Sequence, residues 1–413
     1  MFFVYQLLLS LIFLISPIII LFRILKGKED KKRFTEKFAI FSKKRKPGKL
    51  IWFHGASVGE ILSVIPLIEK YEKDKSIDQI LVTTTTLSSA KVVKKFNFKK
   101  LVHQFYVMDM DFLTSKFLDF WKPSVAIFID SEIWPSMFKQ VKKRKIPLLL
   151  LNARITKKSF KRWKKLKSFS SSIFELITKA YPQNFETIKF LKRLGVTKIK
   201  YIGNLKYAEN YSQKRDLAES NLRKKFKNKK IWIASSTHED EEIFCAKAHL
   251  LLKKKINNLT TIIIPRHVNR VKEISSKLEK LDLKVAFHTS GINKLNDIDI
   301  YLVDTFGETK KFYQMAYSVF LGGSIANRGG QNPLEAARFG AQILHGPNID
   351  NFKDVYKFLS DYNISSKINN YKQLASKIVF NIKKNKSLKI KIIGNKILNN
   401  TIKEIDFQIK NEI

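Results

Sequence analysis

Apolar and polar positions follow two different patterns along the chain. Residues 2–22 are almost entirely apolar and carry no charge, and a helix of this length would span roughly 30 Å, the thickness of a bilayer core. After Gly48, short apolar runs alternate with polar or amphipathic stretches, which is typical of βα units with parallel strands. The pattern therefore predicts an apolar N-terminal helix followed by α/β domains.

Two series of apolar runs predict the strands of two sheets. The first series consists of residues 50–53, 80–85, 125–129 and 147–152. The second series consists of residues 231–234, 261–264, 284–287, 300–303, 319–322 and 342–344. Residues 208–230 between them are polar and charged, and we place a domain boundary there, with Tyr211, Ser212 and Gln213 as its least structured part. The tail, residues 383–413, predicts a lysine-rich helix.

The charges that follow the apolar segment predict its orientation. No Lys or Arg precedes Arg23, and the cations that come next are Lys26, Lys28, Lys31, Lys32 and Arg33. The positive-inside rule places this C-terminal side, and with it the folded domains, in the cytoplasm. A signal peptide would need a basic start, a shorter apolar run and a small-residue cleavage site, which the segment lacks. A buried core helix is the remaining alternative.

The composition limits the possible function classes. The 413 residues include 78 Lys+Arg against 36 Asp+Glu, a net charge of +42, with 44% hydrophobic residues and one cysteine. The chain is too apolar for a disordered polybasic protein and too poor in cysteine for a disulfide scaffold, and its length predicts two domains. Its 65 Lys outnumber its 13 Arg, whereas phosphate and guanine recognition favours Arg. The charge therefore favours an anionic membrane or a phosphorylated substrate over a nucleic acid.

The first candidate site follows the first predicted strand, at residues 51–60. Gly55 and Gly59 are expected to let the backbone turn tightly, which places Glu60 at the start of a helix. Its carboxylate is then a candidate general base for a hydroxyl, because such a base must lie within reach of the proton that it takes. The alternative is that Glu60 only complements the helix dipole.

A second acidic segment follows the strand at residues 125–129. Asp130 and Glu132 come at the end of this strand, where carboxylates are suited to catalysis or substrate contact. The alternative is a helix N-cap at Asp130 or Ser131. Earlier in the chain, Asp109 and Asp111 form an Asp-x-Asp pattern that also occurs in metal sites of glycosyltransferases.

Three segments of the second series carry candidate ligand-binding groups. In residues 233–239, hydroxyl side chains precede a helix start that suits a phosphate, with capping by Thr237 as the alternative. Arg266 ends the strand at 261–264 and is a candidate clamp for a phosphate, or else forms a surface ion pair. In the glycine-rich residues 322–335, Asn332 and Glu335 are candidate partners of sugar hydroxyls, with simple turn formation as the alternative.

Taken together, these motifs resemble the 3-deoxy-D-manno-octulosonic acid (Kdo) transferases of lipopolysaccharide biosynthesis, over nearly the whole chain. The resemblance rests on the apolar N-terminus and on residues 52–60, 130–135, 151–154, 203–206, 236–239, 265–267, 304–308, 322–335, 346–347 and 351–352. It implies the α/β GT-B fold, with two doubly wound Rossmann-like domains that face a cleft and an N-terminal transmembrane helix. The boundaries expected are 1–25 for the membrane anchor, 26–210 for the acceptor-binding domain and 211–413 for the donor-binding domain, whose last helix is allowed to pack back on the first domain.

The resemblance also implies the activity. The family transfers Kdo from CMP-Kdo to a lipid A precursor, lipid IVA, with inversion. Carried over by position, Glu60 resembles the general base, and Asp130 and Lys206 resemble groups that stabilise the transition state. The positions that match the CMP-binding segments are Pro265, Arg266, Phe306, Gly307, Glu308, Asn332, Pro333, Leu334 and Glu335.

The resemblance further implies how the donor is used and where the enzyme works. Because CMP-Kdo carries one phosphate, Arg266 and helix N-termini are expected to neutralise the leaving group without a metal ion or cofactor. The expected partners are CMP-Kdo, the lipid A precursor and the inner membrane, with no nucleic acid. The enzyme is expected to be a single-pass inner-membrane protein with its catalytic domains on the cytoplasmic side.

Two positions depart from the family pattern. Two alternative functions, and two interpretations of one basic segment, also stay open. Asp130 stands where the family more often has Glu, and Gln331 replaces a frequent His. A GT-B enzyme that uses a UDP-sugar is one alternative, and a membrane-tethered nucleic-acid-binding protein is another. Residues 158–169 place Phe160, Trp163, Leu166 and Phe169 at three-residue spacing among cations, so this segment is either a membrane-surface helix or a core-packed helix with a solvated basic face.

Overall fold

The chain forms two compact units. The structure is a computed structural model, and it describes residues 1–208, 222, 224–290, 297–381 and 385–410. The first unit comprises residues 1–210 together with residues 393–413, and the second comprises residues 211–392. Tyr211, Ser212 and Gln213, at the centre of the predicted boundary, lie outside the described residues.

The first unit is a doubly wound α/β fold. Its strands are β1 (Leu50–His54), β2 (Gln79–Thr84), β3 (Leu101–Phe105), β4 (Val125–Ile129), β5 (Leu148–Ala153) and β6 (Lys179–Pro182). Its helices are α1 (Phe2–Leu25), α2 (Val58–Lys73), α3 (Leu87–Lys94), α4 (Asp111–Trp121), α5 (Pro135–Lys143), α6 (Lys157–Lys165), α7 (Lys167–Phe174) and α8 (Phe185–Leu194). A short 3₁₀-helix, Leu205–Ala208, follows.

The strand order of this sheet places a ligand site between β1 and β4. The order is β3-β2-β1-β4-β5-β6, and the strand pairs are parallel. Strands β1 and β4 are buried at every position, since helices cover both faces of such a sheet. The order reverses between β1 and β4, and ligands of doubly wound sheets bind outside the carboxyl ends of the strands at this point.

The second unit has the same construction. Its strands are β7 (Lys230–Thr237), β8 (Leu259–Pro265), β9 (Val285–Phe287), β10 (Ile300–Leu302), β11 (Ser318–Leu321), β12 (Gln342–His345) and β13 (Ser365–Lys367). Its helices are α9 (Glu241–Lys253), α10 (Val271–Glu279), α11 (Thr309–Tyr313), α12 (Leu334–Arg338), α13 (Lys353–Asp361) and α14 (Tyr371–Lys377). The parallel order β13-β12-β11-β7-β8-β10-β9 reverses between β7 and β11.

The α/β class and the strands predicted from the apolar runs are confirmed, but three outer strands were missed. Strand β3 carries His103 and Gln104, β6 is four residues long and ends at Pro182, and β13 reads Ser-Ser-Lys. These three strands lie at the edges of their sheets, where each pairs with only one neighbouring strand. An edge strand buries less side-chain surface, so its sequence lacks the apolar run by which the inner strands were recognised.

The predicted C-terminal helix is confirmed as α15 (Asn385–Lys410). Its second half belongs to the first unit. There the Glu404 carboxylate accepts hydrogen bonds from Lys179, Tyr181 and Lys200, and Tyr71 donates to Asp406. These contacts fasten the end of the chain to β6 and α2.

Helix α1 meets the length and composition needed to cross a membrane. It is 24 residues long, and most of its large apolar side chains are exposed. One side of it nevertheless packs on the first unit through Phe2, Tyr5, Leu9 and Phe13.

Candidate active site

Glu60 lies in the first turn of α2, at the carboxyl end of β1. Ser57 caps this helix, and the two residues form a capping box in which the Glu60 carboxylate accepts from the Ala56 N–H at 2.7 Å and from the Ser57 hydroxyl at 2.7 Å. The helix-start position predicted for Glu60 is therefore correct. These hydrogen bonds fix the direction of a half-buried carboxylate, which is compatible with a base as well as with a cap.

The two glycines of this segment have different roles. A Cβ added to Gly55 would lie 3.2 Å from the Glu60 and Ile61 side chains, so a larger residue there would press on both of them. Gly59 instead lies inside α2, and an added Cβ would meet open space. The expectation that Gly59 forms the tight turn is wrong, because the cap at Ser57 has already started the helix.

Asp130 follows β4 in a left-handed backbone conformation, with φ of 61°. The N-cap of the next helix is Trp134, so the alternative of an N-cap at Asp130 or Ser131 is wrong. Burial raises the pKa of Asp130 to about 6, against the opposing effect of Lys206 and Arg154 and with the help of Glu60 and Glu132. A positive φ is uncommon in a residue other than glycine and is found where function constrains the backbone.

Lys206 is brought beside Asp130 by the 3₁₀-helix at Leu205–Ala208. Its Nζ lies 3.9 Å from Asp130 Oδ2. The start of this short helix is held by Asn152, whose Oδ1 accepts from the Leu205 N–H at 3.0 Å, while Asn204 Oδ1 accepts from the Lys206 N–H. Asn152 is the penultimate residue of β5, is 1% exposed and has φ of 52°, so strand β5 places the ammonium group next to the end of β4.

Glu132 points into an aromatic pocket beside these groups. Its carboxylate accepts from the Trp134 indole at 2.9 Å and lies 3.2 Å from Nε2 of the fully buried His54, whose Nδ1 lies 2.9 Å from the Thr83 hydroxyl. Burial would raise the pKa of Glu132, but the hydrogen bonds from His54 and Trp134 outweigh it and hold that pKa below its ordinary value. The Glu132 carboxylate therefore binds His54 at the end of β1 and is not directed to the same point as Asp130.

Asp109 of the Asp-x-Asp pattern is engaged by donors of α1 and α5. Its carboxylate accepts from the Ser136 and Met137 N–H groups and from the Tyr5 hydroxyl, at 2.7 to 2.9 Å. In the described part of the chain, no group of three or more His, Cys, Asp or Glu side chains is arranged to hold a metal ion. Asp109 therefore connects α5 to α1.

In the second unit, a buried carboxylate holds the loop at the switch point. Glu241, 1% exposed, accepts from the N–H groups of four consecutive residues, Gly323 to Ala326, at 2.7 to 3.1 Å and from that of His238 at 2.9 Å. Thr237 does not cap the helix, because Asp240 is the N-cap and the Thr237 hydroxyl donates to Glu242. Glu241 therefore occupies four N–H groups of the glycine-rich loop and, of the segment 233–239 that was expected to suit a phosphate, the N–H group of His238.

A cavity of about 220 Å³ opens at the carboxyl ends of β8 and β11. It brings together seven of the nine donor-site candidates, namely Pro265, Arg266, Phe306, Gly307, Glu308, Asn332 and Glu335. The other two lie beside it: Pro333 is the N-cap of α12, and Leu334 is 1% exposed in the core. Further lining residues include Ser236, Thr305, Tyr313 and Gln331.

The charged groups of this cavity are differently engaged. Arg266 is exposed, and its guanidinium has no hydrogen bond or ion pair with any residue that the structure describes, so the surface ion pair is absent within that range. Glu308 binds Lys311, Thr305 and His288, and the hydrogen bonds from Lys311 and Thr305 lower its pKa. Glu335 Oε1 lies 3.6 Å from Lys310 Nζ.

The glycine-rich loop is shaped by close packing of strand ends. A Cβ on Gly322 would lie 2.4 Å from the Ser236 carbonyl oxygen, so β11 and β7 approach more closely than any other residue allows. Asn332 Oδ1 accepts from the Leu334 N–H at 3.1 Å and helps to start α12. Asn332 also lines the cavity.

Residues 158–169 belong to two helices, α6 and the start of α7, whose aromatic side chains face the core, while Leu166 between the helices is exposed. Phe160 is 8% exposed and stacks on Phe190 with ring centroids 4.4 Å apart, and Trp163 contacts Phe174 edge to face. The basic side chains of α6 are exposed. The core-packed alternative is therefore the one that the structure supports.

Comparisons with known proteins identify the family of this chain. Residues 32–209 match the family model described as 3-deoxy-D-manno-octulosonic-acid transferase (kdotransferase). The Kdo transferase of Rickettsia bellii is 34% identical over 92% of this chain and 91% of its own, and that of Haemophilus influenzae is 30% identical over 85% and 84%.

A solved structure extends the agreement to the fold. The UDP-GlcNAc 2-epimerase of Neisseria meningitidis, a GT-B-like neighbour, matches with a TM-score of 0.51 at 13% identity over 86% of this chain and all of that one, which supports the fold alone. The resemblance read from the motifs is confirmed by the curated relatives. The chain belongs to the 3-deoxy-D-manno-octulosonic acid transferases, the glycosyltransferases that transfer Kdo in lipopolysaccharide biosynthesis.

Proposed function

We propose that this enzyme transfers Kdo from CMP-Kdo to a lipid A precursor, lipid IVA, with inversion at the anomeric carbon. The observation that carries the proposal is the grouping of Glu60, Asp130 and Lys206 at the switch point of the first sheet. Transfer of a sugar to a hydroxyl requires a base, a carboxylate and a cation, and these three residues lie together at the carboxyl ends of the strands.

Glu60 acts as the general base. The acceptor hydroxyl gives its proton to the Glu60 carboxylate as its oxygen attacks the anomeric carbon, and the bond from that carbon to the CMP phosphate oxygen breaks. The hydrogen bonds from Ala56 and Ser57 keep the carboxylate in one orientation before the substrate arrives. Such preorganisation lowers the reorganisation that the reaction would otherwise require.

Asp130 stabilises the positive charge that develops on the sugar. With its pKa raised to about 6 by burial, its carboxylate is ionised at neutral pH but poorly solvated. A poorly solvated charge interacts strongly with charge that develops nearby. Lys206 keeps Asp130 ionised and is a second donor for the departing or attacking oxygen.

The cavity of the second unit holds the CMP part of the donor. Arg266 neutralises the single phosphate, and the cavity residues Phe306, Asn332 and Glu335 contact the nucleoside and sugar. The Arg266 guanidinium has no partner among the described residues, which supports this role, because such a cation is available to an anionic ligand. The first unit then binds the acceptor, the second binds the donor, and α1 attaches the enzyme to the cytoplasmic face of the inner membrane.

Donor selectivity tests this proposal. Calorimetric titration of the purified enzyme should show binding of CMP and CMP-Kdo, with UDP binding at least about tenfold weaker, as expected when hydrogen bonds distinguish the bases. Equal binding of UDP and CMP would contradict a CMP-Kdo donor and favour a UDP-sugar.

A further inference from the structure

Helix α1 docks along the first unit through a single stripe of residues. The side chains that are not exposed are Phe2, Tyr5, Gln6, Leu9, Phe13, Ser16, Ile20, Arg23 and Ile24. Their spacing of three and four residues places them on one face of a helix. The remaining large side chains of α1, from Phe3 to Leu25, are exposed and apolar.

Both ends of α1 contact the folded unit. Near its start, Tyr5 donates to Asp109 at 2.7 Å, and Gln6 donates to the Ser136 hydroxyl at 2.6 Å. Near its end, Arg23 pairs with Glu29 at 3.0 Å. A helix of 24 residues is about 36 Å long, so a helix that crossed a bilayer would place Tyr5 and Arg23 on opposite sides of the membrane.

The polar groups of α1 explain why this face is docked. The Gln6 amide also accepts from the Asp111 N–H at 3.3 Å, so it both donates to and accepts from the first unit. A helix that crossed the bilayer would carry the amide of Gln6 and the hydroxyl of Tyr5 to the far side of the membrane, away from these partners. Docking satisfies both groups while the opposite face stays apolar.

Lysines flank both ends of the exposed face. Lys139 lies over the Phe2 ring at 4.1 Å, with the exposed Lys142 and Lys143 on the same helix, and Lys26 lies over the Phe22 ring at 4.2 Å. Phe112, 55% exposed, contacts Phe13 edge to face and extends the apolar surface onto α4. An apolar surface between groups of lysines matches acyl chains bordered by anionic headgroups.

We propose that α1 lies in the plane of the membrane surface, docked on the first unit, with its exposed apolar face in the acyl region of one leaflet. The proposal deepens the membrane attachment of the proposed function and replaces the single-pass span expected from composition. It places the first unit directly against the leaflet that contains the lipid acceptor.

Crosslinking in native membranes tests this position of α1. In a Cys245→Ala background, the pair Gln6→Cys with Ser136→Cys should form a crosslink in most of the protein, because the native side chains touch. The matched pair Leu11→Cys with Ser136→Cys should form none, since Leu11 is on the exposed face. Absence of the first crosslink, or equal crosslinking of both pairs, would overturn the proposal.

Protease protection gives a second result that needs no substitution in α1. A hydrophilic tag before Met1 should resist protease in intact spheroplasts and be cut in inverted vesicles. Cleavage in spheroplasts would show a spanning helix and overturn the proposal.

A third outcome concerns the exposed face of α1. If the single variant Leu11→Cys formed crosslinked dimers, this face would contact a second copy of the chain, which would also overturn the proposal. Neither readout depends on Kdo transfer, so its failure is distinct from failure of the proposed function.

Discussion

The candidate sites of the two units are constructed in opposite ways. In the first unit, the charged groups are engaged with their neighbours: Glu60 is held by Ala56 and Ser57, and Asp130 is buried beside Lys206. In the second unit, Arg266 is exposed at the cavity and unpaired among the described residues. The buried Glu241 instead binds backbone N–H groups of the glycine-rich loop.

This difference separates chemistry from binding. Groups that are fixed and partly desolvated before substrate arrives are suited to the reacting atoms, where orientation and raised pKa values matter. An unpaired surface cation is suited to attracting an anionic ligand. Changes in the first unit should therefore alter turnover and its pH dependence, whereas changes in the second should alter the response to donor concentration.

The largest effect is expected for Glu60→Gln. Glutamine keeps the capping box, because its amide oxygen still accepts the N–H bonds, but it cannot take a proton at neutral pH. We expect kcat to fall by about 10²- to 10⁴-fold, the usual contribution of a general base. Transfer rates and CMP titration of the variant measure this.

A matched variant separates the cap from the base. Ser57→Ala removes the hydroxyl that donates to Glu60 but keeps the carboxylate. It should lower stability by about 1 kcal/mol, as loss of an N-cap does, and leave most of the turnover. If Ser57→Ala were as inactive as Glu60→Gln, the effect of Glu60 would be structural.

The next largest effect is expected for Arg266→Ala. Loss of a charge-assisted hydrogen bond to phosphate should raise KM for CMP-Kdo by about 10- to 100-fold with a smaller change in kcat. Lys272→Ala removes an exposed cation of the same unit and serves as the control, with an expected KM close to that of the wild type. An unchanged KM in Arg266→Ala would remove this residue from the donor site.

A smaller effect concerns stability rather than rate. Burial raises the pKa of Asp130 from 3.8 to about 6, so its stabilising contribution is present below about pH 4 and is lost as the pH rises through 6. Asp130→Asn removes this dependence. We expect the variant to match the wild type at pH 4 and to be more stable at pH 8 by at most about 3 kcal/mol, while its activity falls.

Thermal unfolding across this pH range measures the effect of Asp130→Asn. Asp109 has a pKa raised to about 6 by burial as well, but both proteins contain it, so its contribution cancels in the comparison. If the difference in free energy of unfolding between Asp130→Asn and the wild type were the same at pH 4 and pH 8, the pKa of Asp130 would not be raised in the folded protein.

No effect is expected from chelation. Because CMP-Kdo carries one phosphate and Arg266 neutralises it, the reaction should continue after exhaustive treatment with EDTA. Loss of activity that Mg²⁺ restores would contradict this metal-free chemistry.

The sequence predicted inner strands and strand-end residues well because burial and parallel pairing leave a local signal. Asp130 directly follows an apolar run, Arg266 follows the strand formed by another, and Glu60 starts the helix after a third. The resemblance then added Lys206, whose position no run of residues marks.

Long-range contacts left no such signal. Nothing local to Asn152 shows that its amide holds the Leu205 N–H 53 residues later, and nothing local to Glu241 shows that it binds a loop more than 80 residues away. The apolar residues 2–22 also predicted a helix correctly but not its contacts, because the polar partners of Tyr5 and Gln6 lie in α4 and α5 and the turn before them.

The central claim is tested most directly by incubating the purified enzyme with CMP-Kdo and a tetra-acylated lipid A precursor and resolving the products by mass. The account predicts the acceptor carrying added Kdo and free CMP from the wild type, and unmodified acceptor from Glu60→Gln. Unmodified acceptor from a folded, CMP-binding wild-type preparation, or Kdo addition by Glu60→Gln at the wild-type rate, would contradict it.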